Sequence, residues 1–440
     1  MLKLFGTDGV RGIANKDLTP ELAFKLGFAG AKFLSTGHGC LALGRDTRIS
    51  GDLLQSALTA GICAAGFDVL DLGVLPTPGL AWLITKLGAN GGAIVSASHN
   101  PAEYNGIKFF SSRGVKLSEE EEAAIEALLE ESRAARAIGA DVGKVVDRRD
   151  AVALYEDHVL AGAGAEINLK VALDCANGAA YKIGPEVLKR LGMDVTAIGV
   201  EPDGLNINKE CGSTHLDKLA RMVRADGFDV GIAFDGDSDR ALAVDADGVM
   251  VDGDHIMAIC AVNRLAQNRL DPPAVCVTVM TNIGFDIAMR ENGIEVAKTQ
   301  VGDRFVLQEM LARGITMGGE QSGHVIFLDR NSTGDGIITA IELLKVMRDT
   351  GKPLAELAGV MKTFPQVLRN LRADGVKHIA ESASVLEAIA EGRRELGDRG
   401  RVLVRPSGTE PVIRVMVESE NQDTADRIAG HICRTIEAQI

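Results

Sequence analysis

The sequence predicts an α/β protein: three similar mixed-sheet α/β domains followed by a smaller α+β C-terminal domain. Three observations lead there. The chain has 440 residues, whereas single cores stop growing near roughly 250–300 residues and chains then divide into domains of about 100–150. One pattern recurs along most of it: a short β-branched run, a turn of small or polar residues, a helical segment, then a glycine-containing turn and a second short strand. The last part breaks that pattern, with two apolar runs across a polar loop and helical segments on both sides.

The first copy runs from Cys40-Leu41-Ala42-Leu43-Gly44 through a helix over 53–65 to Gly66-Phe67-Asp68-Val69-Leu70. The second is Lys170-Val171-Ala172-Leu173-Asp174, a turn at Asn177-Gly178, a helix over 185–191 and Gly192-Met193-Asp194-Val195. The third is Ala274 to Val279, a turn at Thr281-Asn282, a helix over 285–290 and Gly293-Ile294-Glu295-Val296. Strands alternating with helices predict parallel or mixed sheets, whose strand-end turns face the ligand. Between the first two copies, Ser118 and Glu121 form a capping box at the start of an acidic helix with an apolar face of Ile125, Leu128 and Leu129. Its charge run, Glu119 to Glu122, is expected to be a solvated face favoured by the helix dipole. The C-terminal strands are Val402-Leu403-Val404 and Val412 to Val417, set apart from the rest near Thr363-Phe364-Pro365.

Composition narrows the function. Hydrophobic residues make up 46% and charged residues 25%, the usage of an ordinary globular protein. The net charge of -14, with no run of Lys and Arg, argues against a nucleic-acid partner. The sequence starts without the apolar stretch of a secretory signal, and no apolar run is long enough to span a bilayer, so no membrane partner and a cytoplasmic location are expected. Seven scattered cysteines with no C-x-x-C pair read, for the most part, as small buried apolar residues without a catalytic role.

Four loops carry the chemistry. Ser96-Ala97-Ser98-His99-Asn100-Pro101 follows the strand Ala93-Ile94-Val95 and precedes Asn105-Gly106-Ile107-Lys108. Ser98 there suits a nucleophile, although a cap or turn ended by Pro101 accounts for the segment equally well; it is no hydrolase elbow, because the flanking glycines are absent. Asp235-Gly236-Asp237-Ser238-Asp239-Arg240 follows the buried-strand pattern Val230 to Phe234. Three carboxylates at alternate positions suit a hard cation. An EF-hand needs glycine sixth and glutamate twelfth, where this loop has Arg240 and Ala246, so Mg²⁺ completed by phosphate oxygens fits better. Gly318-Gly319-Glu320-Gln321-Ser322-Gly323-His324 is glycine-rich with side chains that bond hydroxyls or protons, and it also reads as a plain turn. Arg405-Pro406-Ser407-Gly408-Thr409-Glu410-Pro411, closed by Arg414, offers turn amides and two guanidinium forks to a phosphate; the alternative is a simple hairpin connection.

In order and spacing these four loops resemble the α-D-phosphohexomutase family along the whole chain. Phe5-Gly6-Thr7-Asp8-Gly9-Val10-Arg11-Gly12, Gly44-Arg45-Asp46-Thr47-Arg48 and Val301-Gly302-Asp303-Arg304 are similar to further segments of that family. Gly319 to His324 and Cys211-Gly212-Ser213-Thr214-His215 resemble its glucosamine-phosphate branch, since the phosphomannomutase and phosphoglucomutase branch usually has methionine where Gln321 stands. Tyr104 and Ser238 depart from the usual residues at their positions. The resemblance implies domains at 1–155 with the phosphoserine loop, 156–253 with the metal loop, 254–365 with the sugar loop and 366–440 with the phosphate loop, around a central active-site cleft. It implies an isomerase that interconverts glucosamine 6-phosphate and glucosamine 1-phosphate, feeding amino-sugar nucleotide synthesis, with glucosamine 1,6-bisphosphate as intermediate and activator. Phosphorylated Ser98 with Asp235, Asp237 and Asp239 would hold Mg²⁺; Arg11, Lys108 and His324 would act in catalysis. Arg240, Asp303, Arg304, Glu320, Ser322, Arg405, Ser407, Gly408, Thr409 and Arg414 would bind the sugar phosphate. A phosphoserine hydrolase would not need a second phosphate clamp, and a sensor would be free to lose Ser98 and the aspartates. A homodimer stays open.

Overall fold

The structure, a computed structural model, describes residues 4–6, 8–35, 37–130, 135–372, 376–406 and 412–440. Each predicted copy of the repeat contains a parallel strand pair whose members are joined through a helix, as parallel pairing requires. Cys40–Arg45 pairs with Asp68–Val74 across Gly51–Ala64. Lys170–Asp174 pairs with Asp194–Ile198, with Ile183–Arg190 between them in sequence. Ala274–Thr278 pairs with Glu295–Thr299, with Ile283–Glu291 between them in sequence.

The chain forms two compact units, Met1–Met280 with Ile294–Gly359, and Thr281–Gly293 with Val360–Ile440. The first unit holds three mixed sheets. The six-stranded one runs Val10–Ile13, Tyr104–Ser111, Gly91–Val95, Cys40–Arg45, Asp68–Val74, Val145–Asp147, with Tyr104–Ser111 antiparallel to both neighbours. The five-stranded one runs Met250–Val251, Ala241–Asp245, Val230–Phe234, Lys170–Asp174, Asp194–Ile198. In the four-stranded one, Ala274–Thr278 lies between Glu295–Thr299 and Met317–Gly319, and Val325–Phe327 closes the edge as an antiparallel strand. Gly91–Val95, Val230–Phe234 and Ala274–Thr278 are buried at every position, which explains their nearly continuous apolar runs. Helices Pro20–Leu34 and Gly51–Ala64 cover the first sheet with backbones almost touching: a Cβ on Gly27 would come within 2.2 Å of the Leu58 carbonyl, and one on Gly61 within 2.0 Å of that of Phe24.

In the second unit, Val412–Ser419 lies between Gln366–Arg372 and Gly400–Pro406 in an antiparallel sheet. Helices Ala383–Leu396 and Gln422–Glu437 bury Val385, Ile389, Ile428 and Ile432 with Val402, Ile413, Val415 and Val417 of the sheet. The strand Gln366–Arg372 escapes the sequence reading. It is an edge strand anchored by Val367 and Leu371 while Leu368 faces outward, so no clean alternation marks it.

The capping box forms as expected: Glu121 N–H donates to Ser118 Oγ at 3.2 Å and Ser118 N–H to Glu121 Oε2 at 2.7 Å. Ile125 is fully buried, with Leu128 and Leu129 packed on the same core. The acidic run is not, however, a solvated face throughout. Glu122 is buried and accepts from Arg304 at 2.8 Å. It lies one turn before Ile125 on the inward face, where only a guanidinium partner makes a carboxylate tolerable. Among the cysteines, Cys175, Cys211, Cys260, Cys276 and Cys433 are buried thiols.

Candidate active site

Two buried strands deliver the central groups. Gly91–Val95 ends in Ser96-Ala97-Ser98, and Val230–Phe234 ends in Asp235. Ser98 is 1% exposed and sits in the left-handed region at φ 51°, a conformation that costs a non-glycine residue about 1–3 kcal/mol and persists only where its surroundings impose it. Ser98 Oγ donates to Asp235 Oδ2 at 2.6 Å, so the first and second predicted loops meet. Gly236 permits this approach, because a Cβ there would lie 2.5 Å from the Ser98 carbonyl.

Asp235, Asp237 and Asp239 place one carboxylate oxygen each within 4.8 Å of one another, and all three are buried. Asp237 Oδ1 and Asp239 Oδ1 are shielded from water and have no hydrogen-bond partner among the described residues. Burial and the charges of Asp239 and Asp237 push the Asp235 carboxyl well above the usual carboxylate range. Three buried carboxylates, two of them with an orphaned oxygen, beside the Ser98 hydroxyl form the donor set of a hard divalent cation, a shell that phosphate oxygens ordinarily complete. Asp237 is itself held from behind: Thr77, which opens the helix Thr77–Leu87, donates Oγ1 to Asp237 Oδ2 at 2.7 Å and its N–H to the Asp237 carbonyl at 2.9 Å.

A chain of alternating charge runs away from the triad. Lys108, on the antiparallel strand Tyr104–Ser111, lies 3.0 Å from Asp237 Oδ2 and 3.0 Å from Asp8 Oδ2. Burial works against its charge, but Asp237 and Asp8 raise its pKa above the ordinary lysine value and keep it an ammonium. Lys116 bridges Asp8 at 2.7 Å and Asp303 at 2.5 Å. Arg11 pairs with the same Asp8. Burial alone would raise Asp8; Lys108, Lys116 and Arg11 hold it well below the usual range. His324 places Nδ1 3.5 Å from Asp239 and Nε2 3.6 Å from Asp303, and Gly334 N–H donates to Nε2 at 3.1 Å. Burial lowers this imidazole, yet the hydrogen bond and charge of Asp239, with Asp303, leave it above its ordinary pKa. Arg240 sits over the triad, its N–H donating to Asp235 Oδ1 at 3.2 Å and its guanidinium 3.2 Å from His99 Nδ1.

Ser98, Arg11, Lys108, Asp235, Asp237, Asp239, Arg240, Asp303 and His324 therefore belong to one connected cluster. Arg304 touches it through its backbone, its N–H donating to Asp303 Oδ1 at 2.9 Å, while its guanidinium pairs with Glu122. Glu320 accepts from Gly302 N–H at 3.1 Å, and the Ser322 hydroxyl is buried with no partner among the described residues. In the second unit, Arg405 and Arg414 are direct register partners on adjacent antiparallel strands, so both guanidinium groups emerge on one face. Ser407, Gly408 and Thr409 lie outside the described residues. The sequence reading assigned no role to Asp46, Arg48, Thr77, Lys116 or Asn208. Asp46 and Arg48 follow a strand end, and Thr77 a strand and a proline, the position where α/β sheets place ligand contacts; that was the available signal.

Comparison with known proteins adds to this geometry. Models of the phosphoglucomutase/phosphomannomutase family match in chain order: alpha/beta/alpha domain I at 2–136, domain II at 153–248, domain III at 252–364 and the C-terminal domain at 370–435. The phosphoglucosamine mutase of Pelotomaculum thermopropionicum is 52% identical over 438 residues, 98% of each chain. That of Alkaliphilus metalliredigens is 48% identical over 447 residues, all of both chains. Among solved structures, a phosphoglucomutase/phosphomannomutase family protein from Burkholderia thailandensis is 25% identical with a TM-score of 0.83, covering 99% of this chain and 97% of its own. The Aspergillus fumigatus N-acetylphosphoglucosamine mutase, solved with GlcNAc-6P and magnesium, shares the fold at 18% identity and a TM-score of 0.69, covering 99% and 95%. With the four domains in order, about half of all residues shared end to end and the serine, acidic and histidine loops drawn together, this chain belongs to the phosphoglucosamine mutase family of the phosphohexomutases.

Proposed function

We propose that the chain interconverts glucosamine 6-phosphate and glucosamine 1-phosphate through phosphorylated Ser98 and glucosamine 1,6-bisphosphate, as a cytoplasmic enzyme. The observation that carries this reading is the 2.6 Å hydrogen bond from Ser98 Oγ to an acidic triad with orphaned oxygens, in a chain about half identical to phosphoglucosamine mutases. In the first half-reaction the bond from phosphorus to Ser98 Oγ breaks and a bond to sugar O1 forms; the O1 proton leaves and Ser98 Oγ takes up a proton. The bisphosphate then turns round. In the second half the O6–phosphorus bond breaks, Ser98 Oγ is phosphorylated again and O6 regains a proton, so phosphate and protons balance over the cycle.

Asp235, Asp237 and Asp239 with the Ser98 phosphate would hold Mg²⁺, which when bound offsets the phosphate's charge of about -1.5 to -2 against three carboxylates. Phosphoryl transfer asks the protein mainly for alignment and charge stabilisation. Lys108, Arg11 and Arg240 supply positive charge around the transferring group. Lys108 and His324 are the groups assigned to proton handling. Asp239, beside Nδ1, orients His324, and Asp303 is assigned to binding the sugar phosphate. Glu320 and Ser322 are assigned to sugar hydroxyls, a role supported by a Ser322 Oγ with no hydrogen-bond partner among the described residues, and Arg304 to the sugar phosphate. Arg405 and Arg414, with Ser407, Gly408 and Thr409, are assigned to the phosphate that is not reacting, and the cross-strand register of the two arginines supports a double fork.

Turnover with glucosamine, glucose and mannose 6-phosphates side by side tests the reading. Isomerisation fastest with the glucosamine ester is expected. Faster turnover of mannose or glucose phosphate would assign the chain to the phosphomannomutase or phosphoglucomutase activity, release of free phosphate would make it a hydrolase, and no reaction would make it a sensor.

A further inference from the structure

Behind the serine loop lies a second layer of buried polar groups. Arg48 is 1% exposed. Its Nε donates to Asp46 Oδ2 at 2.9 Å, one terminal nitrogen donates to the carbonyls of Ser98 at 2.9 Å and Asn100 at 2.8 Å, and the other to those of Tyr104 at 3.0 Å and Pro101. A guanidinium has five N–H donors, and all five are used. The far side of the same turn is tied as well. Ser98 N–H donates to Ser96 Oγ at 3.0 Å, and that hydroxyl donates to Asp46 Oδ2 at 2.6 Å. Asn208, from the domain that bears the acidic loop, donates Nδ2 to the Ser98 carbonyl at 2.9 Å and to that of Asn100 at 3.1 Å.

We infer that Arg48, held by Asp46 and assisted by Asn208, is the positioning residue that imposes the left-handed conformation of Ser98 and thereby aims its Oγ into the acidic triad. The inference rests on the reading that Ser98 carries the phosphate. Arg48 contributes shape rather than field: its charge is matched by Asp46, which is 0% exposed, and its donors end on backbone carbonyls. A flat fork can reach carbonyls on residues 98, 100, 101 and 104 at once. An ammonium presents three donors around one point and cannot reproduce that spread. The consequence is selective. Loss of the fork misaligns the phosphate in both half-reactions, while sugar and distal-phosphate contacts made by other loops stay in place.

The test uses the full chain. For Arg48→Lys, kcat is expected to fall on the order of 100-fold, the effect of about a 1 Å misplacement of a reacting group, with KM for glucosamine 6-phosphate unchanged. Phosphate arrival at Ser98 from glucosamine 1,6-bisphosphate, followed by intact mass, slows in parallel. In Arg48→Ala, added guanidinium ion restores part of kcat, whereas added methylammonium does not. Should the Arg48 variants lose their thermal unfolding transition, Asn208→Asp carries the test. It keeps the shape and tolerates the left-handed backbone at φ 58°, but sets a carboxylate against the Ser98 and Asn100 carbonyls, and the same kcat loss without a KM change is expected. Folded Arg48→Lys that takes up phosphate at the wild-type rate, or folded Asn208→Asp with normal kcat, overturns the inference. A wild-type chain that turns over while Ser98 never takes up phosphate overturns instead the reading on which it rests.

Discussion

Replacing Thr77 with valine tests how the metal loop is supported. Asp237 Oδ2 has two side-chain donors, Thr77 Oγ1 at 2.7 Å and Lys108 Nζ at 3.0 Å, and Oδ1 of the same carboxylate is one of the orphaned oxygens. Valine fills the space of threonine without the hydroxyl, so no cavity forms, but a charge-assisted hydrogen bond worth about 1.5–3 kcal/mol is lost and a methyl group faces a buried carboxylate. Outer partners of metal ligands typically govern about 10–100-fold in metal affinity, which corresponds to roughly 1.4–2.7 kcal/mol. The two estimates overlap. Thr77→Val is therefore expected to raise the Mg²⁺ concentration for half-maximal turnover by about 10–100-fold, with kcat at saturating Mg²⁺ much less affected. Thr77→Ser keeps the donor and should stay near wild type. Activation curves at constant ionic strength, with Mg²⁺ binding measured by calorimetry, read both quantities. If Thr77→Val binds Mg²⁺ as tightly as wild type, or Thr77→Ser loses as much as Thr77→Val, orientation of Asp237 by this hydroxyl is refuted.

Three further outcomes are expected. Peptide mass spectrometry of active protein should find phosphate on Ser98, and Ser98→Ala should abolish mutase turnover while leaving the thermal unfolding transition intact; full activity with only unmodified Ser98 would refute the phosphoserine assignment. Chelation should abolish turnover and added Mg²⁺ restore it, and undiminished activity in metal-free buffer would remove the cation from the acidic triad. Arg414→Ala should lower kcat/KM about 10–100-fold for every sugar phosphate alike, the loss of one charge-assisted contact, and let more bisphosphate escape before its second transfer; a change confined to the choice among sugars would refute the phosphate grip.

The sequence by itself determined the repeated strand–helix–strand units, because their periodicity and glycine turns are local and the strands are buried enough to read as apolar runs. It also placed Ser98 and the aspartates on strand-end loops, where spacing alone distinguishes the acidic loop from an EF-hand. It left Gln366–Arg372 unread, since an edge strand with one partly covered face carries a weak alternation. Partnership was decided only by tertiary structure. Nothing near Glu122 announces that Arg304, 182 positions away, will make its burial tolerable. Likewise Thr77 and Asp237 are 160 positions apart, and Asn208 and Ser98 110. The physical reason is the same in each case. Periodicity reports which face of an element turns inward, but a buried charge or a strained turn is tolerable only if a particular donor or acceptor arrives from elsewhere, and that arrival is a property of the packed fold.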